Sequence, residues 1–130
     1  MKKILFLHDT SLTLNRVAEL TITQLVQLGT KLGYIVTTDL LENFEETKKA
    51  ISNTDLVILN STSRCRFEFL LLEFLLKSEK PYVKVEYDYN FCVRRNILCT
   101  VDWNIKNCCH TNKFHLFRNL FLNSEFNVFQ

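Results

Sequence analysis

A chain of 130 residues and 15.4 kDa is the size of one domain. Apolar residues make up 47% and charged residues 23%, with eleven Phe and four Tyr for a core, which excludes a disordered chain. The net charge of +2 singles out no partner, but two glycines where roughly nine are usual exclude both the dinucleotide fingerprint and the Walker A loop.

The longest apolar runs are four residues, such as 69–72. A membrane-crossing helix needs about 20, so no transmembrane segment is expected. Lys2 and Lys3 precede an apolar run that His8 and Asp9 end at once, too short for a secretory signal. With no export signal, the five cysteines point to a reducing, cytoplasmic setting.

In chain order, residues 3–8 read as a buried strand. Residues 16–32 carry Ala18, Ile22, Leu25, Gly29 and Leu32 at helical spacing, with Asn15 as N-cap and Gly33 as the stop. Residues 34–38 are β-branched and predict strand two. Residues 44–52 predict a short polar helix, and residues 55–60 strand three. Residues 64–77 predict a helix with Phe67, Phe74 and a leucine run over most of its circumference. That exceeds the stripe a surface helix needs and calls for a second surface, such as another copy. Pro81 opens strand four at 82–86, an irregular stretch covers 87–112, a helix covers 113–123, and strand five covers 126–129.

Strands alternating with helices predict βαβ units. Solid apolar strands predict a parallel sheet buried on both faces. The expected architecture is a single α/β domain over 1–130: a three-layer, Rossmann-like, doubly wound parallel sheet of about five strands, ordered 3-2-1-4-5. The chain ends at Gln130, right after strand five, where such a domain normally continues with a covering helix. The expectation is either a longer natural protein or pairing with a second copy.

In open α/β sheets, ligands bind beyond the carboxyl ends of the strands, where the winding reverses. In the expected order that crevice lies between strands one and four. It takes in His8, Asp9, Thr10 and Ser11, then Glu86, Tyr87 and Asp88, with Asn60, Ser61, Thr62 and Ser63 on the same rim. Hydroxyls and carboxylates there suit sugars or phosphates. The start of helix one, with Arg16, offers free N–H groups to an anion. From residue 89 to 124 five Lys or Arg, Arg94 among them, face one acid, Asp102, which favours an anionic partner.

The run Arg16-Val17-Ala18-Glu19, after a strand and a polar loop, resembles the first loop of retaining, family 4 glycosyltransferases of the GT-B fold. Those enzymes carry Gly-Gly-Ala-Glu or Arg-Gly-Ala-Glu there, so Val17 stands for a glycine. Glu86-Tyr87-Asp88-Tyr89-Asn90-Phe91-Cys92-Val93-Arg94-Arg95 is similar to their His-Asp-Tyr-Trp-Phe-x-Cys-Pro-Arg segment, with clustered cysteines after it. The strand-four histidine appears as Tyr87 or Glu86, depending on alignment. The end, 124–130, is similar to the family's aspartate, strand, serine segment. The resemblance implies the acceptor-side, amino-terminal part of a two-domain enzyme, using a nucleotide-sugar donor and a sugar or sugar-phosphate acceptor. With the rim reading, the expected substrate contacts are Ser11, Arg16, Glu19, Ser61, Glu86, Asp88 and Arg94. The missing carboxyl-terminal domain would hold most donor contacts, so the isolated chain is expected to be inactive and free of cofactors. No catalytic residue is assigned.

Cys92, Cys99, Cys108 and His110 could close a tetrahedral zinc site. Their spacing is not the paired Cys-x2-Cys of zinc ribbons, and free thiols or a disulfide are the other readings. Two other function classes stay open. One is a non-catalytic flavodoxin-like or receiver-like module, although Asn60 stands where a receiver has its phosphorylated aspartate. The other is a zinc-containing nucleic-acid binder using Arg94, Arg95 and Lys106, although no nucleic acid is expected on the main reading.

Overall fold

The computed structural model describes residues 2–14, 16–86 and 112–129. The elements run β1 (Lys3–His8), a 3-10 turn (Leu12–Leu14), α1 (Val17–Lys31), β2 (Ile35–Leu40), α2 (Phe44–Ser52), β3 (Leu56–Leu59), α3 (Glu68–Lys77), β4 (Tyr82–Glu86), α4 (Asn112–Asn123) and β5 (Phe126–Phe129). All five strands join one sheet, and each of its four pairings is parallel. This is the α/β class that the strand and helix alternation predicts.

The strand order is 2-1-3-4-5 and not 3-2-1-4-5. The chain crosses over β1 after β2 and lays β3 on its other side, in register from Ile4–Leu56 to Leu7–Leu59. Side-chain chemistry accounts for the choice. Leu-Val-Ile-Leu of β3 is apolar throughout and fits an interior strand. Ile-Val-Thr-Thr-Asp-Leu of β2 is half polar and half exposed, and fits an edge. The winding therefore reverses between β1 and β3, as in flavodoxin-like sheets.

One face of the sheet carries the main core. Leu5 and Leu7 of β1, Val57 and Leu59 of β3, and Tyr82 of β4 meet Ile51 of α2, Leu71, Leu72 and Leu75 of α3, and Phe117 and Leu120 of α4. Strand alternation sends Phe6 to the other face, where Ile22 of α1 is buried. The expected α1 face is only partly correct: Ile22 is buried, but Leu25 and Leu32 are exposed. Gly29 marks a close approach of α1 to the sheet. A Cβ there would come within 2.8 Å of Val36 Cγ2, so α1 sits against β2 at this point. Gly33 ends the helix region at φ 90°, a conformation that favours glycine. Arg16 precedes α1 in extended conformation without a side-chain capping bond. Asn15, the expected cap, lies outside the described residues.

The Phe-rich helix begins at Glu68, not Arg64; α2 and α4 pack on its flanks, while Phe69 and Leu70 stay exposed. Phe44 of α2 packs on Phe74 at 6.3 Å, edge to face, and on Phe67 at 5.2 Å. On its other flank α3 meets α4. Asn43 caps α2 by accepting the Glu46 N–H at 3.1 Å. At the far edge, Phe126 is 71% exposed and Val128 is exposed as well.

Tyr82 fastens β4 to α4, its buried hydroxyl donating to the Leu120 carbonyl. Burial pushes this phenol up from 10.0 to about 12. The folded chain holds the proton more tightly than the unfolded chain, so Tyr82 favours folding fully below pH 10. That contribution is lost as pH rises through 12. Urea unfolding of wild type and Tyr82→Phe between these limits should show a steeper alkaline loss in wild type. Equal slopes would disprove the assignment.

Candidate functional site

The carboxyl rim of the sheet gathers the polar ends of β1, β2 and β3. Asp9, directly after β1, organises it. Its Oδ2 accepts from Ser61 Oγ at 3.0 Å, Ser63 Oγ at 3.3 Å and the Arg64 N–H at 2.9 Å. Its Oδ1 accepts from Thr10 Oγ1 at 3.1 Å. One carboxylate thus ties the loop after β1 to the loop after β3, across the point where the winding reverses. Hydrogen bonds to a charged acceptor are the stronger kind, which suits a fixed loop pair.

The neighbouring polar groups are also engaged. His8 Nδ1 lies 2.8 Å from the Thr10 carbonyl, so that nitrogen carries the proton. Ser11 Oγ and Thr13 Oγ1 are 2.8 Å apart. Thr62, fully buried, donates to Glu68 Oε2 at 2.8 Å, joining the loop to the first turn of α3. Asn60 donates its side-chain amide to the Leu7 carbonyl at 3.1 Å. Cys65 is buried among these groups. Burial pushes its thiol up, against a lowering bond from the Phe67 backbone, with Glu68 and Asp9 adding to the rise. A thiol so placed is a poor nucleophile.

Beside the Asp9 network, toward the end of β2, opens a cavity of about 550 Å³. Such a volume is within the usual range for small-molecule sites. Leu40 and Leu41 line it together with Thr10, Ser11 and Glu42, and Arg64 and Arg66 from the loop after β3.

The residues expected to touch substrate are thus distributed. Ser11 lines the cavity, and Ser61 stands next to it, bonded to Asp9. Arg16 is exposed just before α1. Glu19, in the first turn of α1, is only 6% exposed, and its Oε2 has no hydrogen-bond partner among the described residues. A buried carboxylate oxygen without a donor is uncommon. Glu86, 2% exposed, pairs with Lys84 at 3.1 Å. Asp88 and Arg94 lie outside the described residues, as do Cys92, Cys99, Cys108 and His110. Among the described residues, no three His, Cys, Asp or Glu side chains form a metal-binding group. Among them, too, no helix is long and apolar enough to cross a membrane.

The crevice expected between strands one and four is corrected by the strand order, since β3 lies between them. Arg64, Arg66 and Glu42 are the cavity residues that pattern reading misses. Their signal is the Arg-Cys-Arg run at 64–66, which lies in the loop before α3 and not, as expected, inside the helix. No protein-family model matches this chain, and no curated protein matches it.

Proposed function

We propose that the chain is the acceptor-side domain of a GT-B, family 4-like glycosyltransferase. It would transfer sugar from a nucleotide-sugar donor once a carboxyl-terminal domain completes it. The observation that carries the reading is Glu19. The Arg16-Val17-Ala18-Glu19 run resembles the family's first loop, and its glutamate is a buried carboxylate at the start of α1 whose Oε2 has no hydrogen-bond partner among the described residues. Arg16 adds positive charge at the same helix start, where backbone N–H groups favour anions. Asp9 holds the adjacent loops still, the preorganisation that positioning a substrate needs. In this role the protein would act in the cytoplasm with a sugar or sugar-phosphate acceptor, carrying no cofactor of its own; a homodimer is compatible with its exposed β5 edge.

Positioning of donor and acceptor together is worth roughly 7–11 kcal/mol of barrier, and in a two-domain enzyme that geometry arises only between the halves. Radiolabelled nucleotide-sugar assays test this. Residues 1–130 alone should give neither transfer nor donor hydrolysis above buffer. The chain joined to a donor-binding second domain should transfer, and Glu19→Gln or Arg16→Ala should reduce the rate. Turnover by the single domain, abolished by changing Asp88 or Arg16, would show that one half suffices. No transfer by a folded two-domain protein would sink the reading.

The strand order 2-1-3-4-5 favours a second reading, a non-catalytic flavodoxin-like module. A receiver-type phosphorylation at Asn60 does not fit, because a carboxamide has no carboxylate to take the phosphoryl group, and this one donates to the Leu7 carbonyl within the sheet. A bound flavin would give the purified protein a yellow colour and a visible absorption band.

A further inference from the structure

We propose that the cavity between the ends of β1 and β2 binds a phosphorylated sugar, its phosphate held by Arg64 and Arg66. The proposal rests on the glycosyltransferase reading only in calling this ligand an acceptor; the binding itself stands on the cavity. Arg64 and Arg66 both line it, and neither makes an ion pair among the described residues. Arginine recognises phosphate oxygens in bidentate fashion, so two arginines lining one cavity suit a phosphate. The loop that carries them is not loose. Asp9 accepts from the Arg64 N–H itself and from the two preceding serines, Ser61 and Ser63, and Thr62 is tied to Glu68. The backbone beneath the arginines is therefore set before a ligand arrives.

The rest of the lining chooses the body of the ligand. Glu42 and Asp9 would repel a bare anion, and four donors already occupy Asp9. Glu42 can accept hydroxyl protons, and Thr10 and Ser11 can donate or accept. Leu40 and Leu41 provide apolar surface of the kind a sugar ring packs on. Cations on one side and hydroxyl-matched groups on the other fit a polyol bearing a phosphate better than either part alone.

Titration of the folded 130-residue chain with a hexose 6-phosphate, inorganic phosphate and the unphosphorylated hexose tests this, with no donor present. Amide NMR shifts should cluster at Thr10, Ser11, Glu42, Arg64 and Arg66, and the hexose phosphate should bind at least tenfold more tightly than either fragment. The double variant R64Q/R66Q should weaken it tenfold or more without changing the thermal midpoint, since both side chains are exposed. Glu42→Gln should weaken the hexose phosphate but not inorganic phosphate. Shifts confined to other surfaces, or unchanged affinity in R64Q/R66Q, would overturn the site. Equal affinity for inorganic phosphate would overturn the sugar half, and equal affinity for the neutral hexose the phosphate half. A binding chain that fails to transfer when completed would leave this site standing and remove only the transferase reading.

Discussion

Replacing Lys84 by methionine is expected to lower the unfolding free energy by roughly 3–5 kcal/mol, the range for breaking a buried ion pair from one side. Lys84 is 1% exposed and Glu86 2%. The ammonium lies 3.1 Å from Glu86 Oε2, 3.3 Å from the Asn60 carbonyl and 2.6 Å from the Val85 carbonyl. Burial pushes Lys84 down from 10.5, while Glu86, Glu68 and Asp9 hold it up. The folded chain therefore binds this proton less tightly than the unfolded one. The Lys84 share of stability rises with pH until 10.5 is passed, opposite in sign to Tyr82. Methionine keeps the stem and removes the charge, leaving the Glu86 carboxylate in a low-dielectric site without its cation. Because whole domains are stable by about 5–15 kcal/mol, the single variant should be close to unfolding. The double variant K84M/E86L removes both charges and should regain most of the loss. Urea midpoints at pH 7 check both; a loss under about 1 kcal/mol, or a double variant no better than the single, contradicts the pair's role.

This pair also marks where pattern reading reaches its limit. Tyr82-Val83-Lys84-Val85-Glu86 is legible as a strand because β-branched residues alternate with larger ones, and its bounds agree with β4. That its lysine and glutamate point inward depends on what packs over them, which no local pattern contains. The bounds of β1, α2 and β5 also agree with their patterns: a solid apolar run, a short polar helical stretch, and a short apolar run near the end. Strand order was not legible from alternation, which leaves open the side to which β3 crosses. The polar content of β2 against the apolar content of β3 carried that information, as a statement about edge and centre. The rim was legible at Asp9, Ser11 and Ser61, since polar residues after apolar strands stand out. Arg64 and Arg66 were hidden because the apolar stretch after them masked the true start of α3 at Glu68.

The Phe117→Ala substitution is expected to cost roughly 3–5 kcal/mol, as for a large aromatic removed from a core that cannot collapse fully. Phe117 is fully buried on α4, beside Phe121 at 6.2 Å between ring centroids. It belongs to the same cluster as Leu71, Leu72 and Leu75 of α3 and Leu5 and Leu7 of β1. Two outcomes separate by hydrogen exchange. If α4 were a separately docked flap, its amides alone would lose protection while β1 and β3 kept theirs. A continuous core predicts that protection falls together in α4, α3 and the central strands, with a single urea transition. Phe117→Leu keeps most of the volume and should cost less than about 1.5 kcal/mol. The functional consequence follows from position. The loops after β1 and β3 that carry Asp9, Arg64 and Arg66 extend from the strands this core supports. Loss of Phe117 should therefore broaden rim amide signals through global opening and weaken hexose phosphate binding only in proportion to the unfolded fraction. A rim that loses affinity while the core stays folded would mean that α4 contributes to the cavity directly.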